Sequence, residues 1–163
     1  MRLINVLCLS TAMGLASVAA FAAAQDSQAA AEEALDAYLE YAALYHENEP
    51  SMEDVRPFIH YPFIYLTDGE RHVVTSDEEL ADGIDLYHET LRGMDWTESA
   101  LIDGAFAVPL NTNSALITAE WEHRIDDGFL GDCAVYGYRH VMTKHAGTWQ
   151  LTLTAFSGCV EPP

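Results

Sequence analysis

Lysine is almost missing from this chain. Lys144 is the one lysine in 163 residues, and all Lys and Arg together number 7 against 26 Asp and Glu, a formal net charge of −19. So negative a surface is repelled by phosphate backbones and anionic lipid, which argues against nucleic-acid binding and reads as a solvated acidic exterior. Cysteine is equally scarce at 3 residues. The 7 histidines show no close ligand spacing, so no zinc site is expected. Asp126-Asp127-Gly128 followed by Asp132 lacks the alternating oxygen ligands and terminal Glu of a calcium loop, and reads as a turn. No glycine-rich phosphate loop opens a helix after a strand, and no Ser or Cys sits in a nucleophile elbow. No metal or other cofactor is therefore expected. Internal repeats, low-complexity blocks and a second domain are also missing.

What is present begins with an export-type leader from Met1 to Ala24. Arg2 supplies the positive end, an apolar run follows from Leu3 to about Phe21, and Ala22-Ala23-Ala24 offers small residues for cleavage. Cys8 lacks the preceding small residues of a lipoprotein signal and reads as leader. The alternative, an uncleaved anchor, fits Thr11, Gly14, Ser17 and the alanine-rich end poorly. The mature chain is expected in the periplasm or the medium, with no membrane attachment after cleavage. Gln25 to Gln28 reads as a linker, 29–157 as one domain, and 158–163 as a tail.

Asp26 or Ser27 can cap a helix from about Ala29 to His46, with Leu35, Tyr38, Leu39, Ala42 and Tyr45 as its apolar stripe, widened by Tyr41 and Leu44. Ser51 with Asp54 predicts a short second helix that Pro57 stops. Phe58 to Leu66 reads as a strand whose Pro62 marks an edge or a bulge. Asp68-Gly69 then turns a hairpin that sets Thr67 opposite Glu70, Tyr65 opposite His72 and Phe63 opposite Val74. Ser76 and Glu79 box the start of the next helix, buried along Leu80, Ile84, Tyr87 and Leu91 and ended by Gly93. Trp96 to Val108 is a strand interrupted at Asp103-Gly104. Ser114 to Ile125 is a long strand with Ala115, Ile117, Ala119, Trp121, His123 and Ile125 on one face.

The last hairpin runs from Cys133 to Lys144 and from Thr148 to Cys159. A three-residue loop, His145-Ala146-Gly147, sets Lys144 opposite Thr148 and Cys133 opposite Cys159, where a disulfide can join the open ends. That register puts Arg139 and Val141 on one aliphatic face with Trp149, Leu151 and Leu153. It puts Tyr136, Tyr138, His140 and Met142 on the other face with Gln150, Thr152, Thr154 and Phe156. The second face is too aromatic for plain solvent, so a homodimer through Tyr136, Tyr138, His140 and Met142 is expected.

Tyr65-Leu66-Thr67-Asp68-Gly69, the Ser76-Asp77-Glu78-Glu79-Leu80 helix start, the Ala115 to Trp121 strand, the Asp127-Gly128 turn and Gly147-Thr148-Trp149-Gln150-Leu151 together resemble the nuclear transport factor 2-like superfamily, especially its SnoaL-like members. The resemblance spans about Ala29 to Ser157. It implies an α+β fold, a cone of curved antiparallel sheet wrapped around N-terminal helices (the cystatin-like fold), with a cavity at its wide end. Members of the superfamily include isomerases, cyclases, dehydratases and non-catalytic binding or assembly domains. The known enzymes' acidic catalytic residues have no matching position here.

The inward face is expected to carry Trp121, His123 and Arg139, joined by Tyr38 or Tyr41 from the first helix and Tyr65 from the first hairpin. Arg139 needs a partner there, either a protein carboxylate or an anionic ligand group. His123 is the candidate general acid or base, or else a residue at a strand edge. Three functions follow: a non-catalytic small-molecule binder, a metal-free isomerase or dehydratase using His123, and an assembly module.

Overall fold

Nothing between Leu15 and Glu49 breaks a helix: the segment has no glycine or proline and is rich in alanine, the best helix former. In the computed structural model, which describes residues 7–45, 49–67, 69–126, 128–129 and 133–161, helix α1 runs unbroken over Leu7–Ala43. Residues 25–28 are therefore helical and not a linker, and Ser27 caps nothing; its hydroxyl donates back to the Ala23 carbonyl at 2.9 Å. The start of the leader, His46, Asp68, Asp127, Asp132 and the last two residues of the tail lie outside the described residues. Among those described, no helix is long and apolar enough to cross a membrane.

The buried stripe of α1 is Ala30, Ala31, Ala34, Tyr38 and Ala42, with Tyr41, Leu44 and Tyr45 partly covered. Leu39, expected inside, is 40% exposed. Small alanines let the helix axis approach the sheet closely, and the one large buried side chain on this stretch is Tyr38. Helix α2 (Met52–Val55) begins at Ser51 with the reciprocal Ser51–Asp54 capping box, and a single tight turn over Arg56–Phe58 carries Pro57. Helix α3 (Asp77–Gly93) is capped by Ser76, whose hydroxyl accepts from the Glu79 amide at 3.2 Å. Its buried residues are Leu80, Ile84, His88 and Leu91; Tyr87 is 37% exposed instead.

The strands are β1 (Ile59–Thr67), β2 (Glu70–Val74), β3 (Trp96–Asn111), β4 (Ser114–Ile125), the short β5 (Gly128–Phe129), β6 (Val135–His145) and β7 (Thr148–Val160). They form one curved, unclosed sheet in the order β2-β1-β7-β6-β4-β3, with β5 on β4. The sheet is not wholly antiparallel, because β1 pairs with β7 in parallel. The first hairpin has the expected register, Thr67 with Glu70, Tyr65 with His72 and Phe63 with Val74. Pro62, which has no N–H to donate, falls where the β1–β7 register shifts. The break expected at Asp103-Gly104 is a register shift between Leu101 and Ala105, with both residues at positive φ (51° and 79°).

The final hairpin differs from expectation in a way that reassigns the site. Its loop is two residues, Ala146 and Gly147, at φ of 50° and 90°, and His145 pairs with Thr148. Two central residues with φ > 0 give the primed turn that matches strand twist. Met142 faces Leu151, but past Thr152 the pairing becomes His140 with Thr154 and Tyr138 with Phe156; past Ser157 it becomes Tyr136 with Cys159. Thr152 and Ser157 are extra residues, each advancing β7 by one. A one-residue slip exchanges the two faces of a strand. Hence Tyr136, Tyr138, His140 and Met142 lie beside Trp121, Ala119, Ile117 and Ala115 of β4, on the side that α1 covers. They do not form the outward patch from which a dimer was argued. Arg139 is on the opposite face, between Thr118 and Ala155, with Nη1 donating to the Tyr138 carbonyl at 3.0 Å and lying 3.4 Å from Ser157 Oγ.

Cys133 and Cys159 form a disulfide across a Cα–Cα distance of 5.5 Å. Their ladder positions are not opposed, since Cys159 faces Tyr136; the chain bends at Ala134, whose amide donates to the Val160 carbonyl at 2.7 Å, and returns Cys133 to its partner. A closed segment with a sequence separation of 26 contributes about 3–4 kcal/mol in the chain-entropy account. Replacing both cysteines with serine is expected to lower unfolding stability by about that amount in urea titrations. Thiol labelling of the unreduced mature protein should modify neither Cys133 nor Cys159.

Candidate functional site

The inward faces of the sheet and the two long helices enclose a cavity of about 590 Å³. Helix α1 contributes Tyr38 and Tyr41, and the turn after it Tyr45; β1 contributes Phe63 and Tyr65; β4 contributes Trp121 and His123; α3 closes the opposite wall with Leu80, Ile84 and Tyr87. Of the residues read as cavity candidates from the sequence, Tyr38, Tyr41, Tyr65, Trp121 and His123 all line this space, and Arg139 does not. Tyr138, His140 and Thr154 line it too, although the sequence reading assigned them to an outer face. The signal that would have found them is in β4. Its inward run from Ala115 to His123 is the longest alternating stripe in the chain, and pairing Ser114 with Thr143 sets the even-numbered residues of β6 beside it.

The floor is a hydrogen-bond relay. The Trp121 indole Nε1–H donates to the Tyr38 hydroxyl at 3.1 Å, and Tyr38 lies 3.1 Å from His140 Nε2. His140 Nδ1 in turn lies 2.9 Å from Thr154 Oγ1. The indole can only donate, so the Tyr38 oxygen accepts from Trp121 and shares a second hydrogen bond with His140 Nε2, whose direction follows the tautomer of the ring. Burial, with the Arg139 charge nearby, pushes the His140 pKa down to about 3, so the ring stays neutral. Burial likewise raises the Tyr38 phenol well above its ordinary range. Both ring nitrogens of His140 are spoken for, which makes it a residue that positions Tyr38.

His123 is placed differently. Its Nδ1 lies 2.6 Å from Ser99 Oγ, which also accepts from the Trp96 indole at 3.0 Å. The ring lies parallel to Trp121 at 6.3 Å and meets Tyr136 edge-on at 4.9 Å. Burial lowers its pKa to about 4, so the imidazole is neutral near pH 7. Higher in the cavity, Tyr41 stands edge-to-face with Tyr45 at 5.2 Å and 64°, and Tyr45 with Tyr87 at 6.2 Å and 76°. Desolvation raises the Tyr41 phenol far above its usual value and Tyr45 to about 12, so all these hydroxyls remain neutral donors. Neither Lys nor Arg is among the described lining residues, and Glu79 is the one carboxylate. Such a lining offers apolar contact, ring faces and a few fixed hydroxyls.

No protein-family model matches the chain, and no curated protein matches it in sequence. Solved structures match it in shape. An NTF2-like protein with a cystatin-like fold from Novosphingobium aromaticivorans superposes with a TM-score of 0.58 at 14% identity, covering 94% of this chain and 90% of its own. A nuclear transport factor 2-like superfamily protein from Salmonella enterica gives 0.58 at 12% identity, covering 83% and 95%. A candidate ketosteroid isomerase from Shewanella frigidimarina gives 0.56 at 12%, covering 77% and 94%.

The two buried histidines of the cavity make stability depend on pH. In the unfolded chain each takes up a proton near pH 6.5, while folded His123 and His140 refuse it until about pH 4 and about pH 3. Their contribution is complete above about pH 7 and is lost as pH falls, at roughly 1.4 kcal/mol per pH unit for each ring. Urea unfolding between about pH 6.5 and 5, above most carboxylate titration, should show this decline, and His123→Asn should reduce its slope by roughly 1.4 kcal/mol per pH unit. These similarities and the element order together show that the chain has the cystatin-like cone fold, the fold of the nuclear transport factor 2-like structures it resembles.

Proposed function

We propose that the mature chain is an exported domain that binds a small, partly apolar molecule in the tyrosine-lined cavity. The observation that carries this reading is the cavity itself. Its volume of about 590 Å³ falls within the roughly 300–1,000 Å³ of small-molecule sites, and its wall combines aromatic rings with a few convergent hydroxyls and an imidazole. Export is supported by the leader-type composition of residues 1–24 and by the disulfide, since disulfides persist in oxidising compartments. The fold hosts both enzymes and binders, so the reading rests on the site and not on the architecture.

A second reading, an isomerase or dehydratase, is favoured by His123, a neutral imidazole in the cavity wall held through Nδ1 by Ser99. With a pKa of about 4 this ring is a weak base and a better hydrogen-bond donor or relay. On that reading His123→Asn, which can keep the bond to Ser99, removes turnover and leaves the melting temperature nearly unchanged.

The test is a thermal-shift screen against a metabolite panel. A hit at 100 times its Kd should add about 2.7 kcal/mol of stability. Gly83 of α3 lines the cavity, and a Cβ there meets nothing within 4 Å. Gly83→Leu should raise the ligand-free melting temperature, because glycine costs a helix interior about 1 kcal/mol, yet abolish the ligand-induced shift by filling the space. A shift that survives Gly83→Leu places the ligand elsewhere.

A further inference from the structure

We propose that the molecule held in this cavity is a cation, an ammonium or quaternary ammonium group on an apolar body. The inference rests on the binding reading above and names its ligand class. The sequence left a protein carboxylate or an anionic ligand group as the partner of an inward Arg139, but that guanidinium is on the outer face of the sheet. No Lys or Arg is among the described lining residues, so the site has no fixed positive group with which to hold an anion.

Three features favour a positive charge instead. The first is the rings. An aromatic face carries the negative lobe of its quadrupole and attracts a cation within about 6 Å of its centroid. Tyr41, Tyr45 and Tyr87 follow one another at interplanar angles of 64° and 76°, so a guest beside them meets a ring face from more than one direction. A quaternary ammonium needs no hydrogen-bond acceptor, and phenols that remain neutral suit it. The second is Glu79, the one carboxylate in the lining. Its Oε2 accepts from the Thr75 amide at 2.6 Å and the Thr75 hydroxyl at 2.9 Å, which holds the group ionised and in place beside the cavity. The third is the whole-molecule field. A net charge of −19 draws cations toward the protein and opposes anions, and it does so more strongly at low salt.

Benzyltrimethylammonium, its uncharged carbon isostere neopentylbenzene, and 3-phenylpropanoate form a probe set that separates charge from shape. Titration followed by tryptophan fluorescence should show the cation binding about tenfold more tightly than the isostere, and the carboxylate not binding. The cation's affinity should fall with added salt while the isostere's does not. Glu79→Gln can still accept from Thr75; it and Tyr87→Leu, at a partly exposed position, should each weaken the cation severalfold and leave the isostere unchanged. Gly83→Leu should remove both. Equal binding of cation and isostere overturns the cation assignment while leaving small-molecule binding in place. So does tighter binding of the carboxylate. Cation binding that persists in Gly83→Leu also overturns it, because the charge is then recognised outside the cavity.

Discussion

Tyr38 is the point at which the helix and the sheet are fastened together. It is fully buried on α1, and its hydroxyl accepts a hydrogen bond from the Trp121 indole of β4 and shares another with His140 of β6. A phenol without these partners would be a costly group to bury, so the relay fixes the rotation of α1 over the sheet. Alanines on either side of Tyr38 keep the helix close enough for the bonds to form. With α1 fixed, Tyr41 and Tyr45 must project beside Tyr38, one and two turns toward the open end, where α3 supplies the facing wall. The cavity is therefore the space left where a helix anchored at one level diverges from a curved sheet.

Polar groups in this core divide into two kinds. His140 and Tyr38 have every ring nitrogen or hydroxyl engaged and act as structure. His123 is held from behind by Ser99 and turns a neutral ring toward the cavity. Outside the cavity, His88 on α3 is buried, and its Nε2 has no hydrogen-bond partner among the described residues. It faces the α3 packing surface with Leu91, near the Arg92–Glu49 ion pair, and its pKa is lowered chiefly by desolvation. Like the two cavity histidines, it opposes protonation of the folded state.

Local chemistry made most of the elements legible from sequence. Ser51 with Asp54, Ser76 with Glu79, Asp68-Gly69 and the β4 stripe each identify their own helix, turn or strand. Face assignment in the last hairpin was not legible from local chemistry. Ala146-Gly147 fits a two-residue or a three-residue loop equally well by composition, and neither Thr152 nor Ser157 announces itself as an extra residue. Both choices change parity, and parity decides whether Arg139 or Tyr138 looks inward. The disulfide was nevertheless anticipated correctly, because two cysteines at the ends of one hairpin need only proximity, which a bend at Ala134 supplies. Continuity of α1 through residues 25–28 is hidden for the opposite reason: Asp26 and Ser27 read as caps, while the alanines around them carry the helix through.

The central claim is that the tyrosines of α1, β6 and α3 converge on an interior space. A spectrophotometric titration of the 8 tyrosines of the chain tests this directly. Burial raises the phenols of Tyr38, Tyr41, Tyr45, Tyr87 and Tyr138, so most of the absorbance change should be withheld at about pH 11 and released only as the protein unfolds in stronger alkali. A smooth, reversible titration of all the tyrosines centred near pH 10, with the fold intact, would show that they face water and would contradict the account.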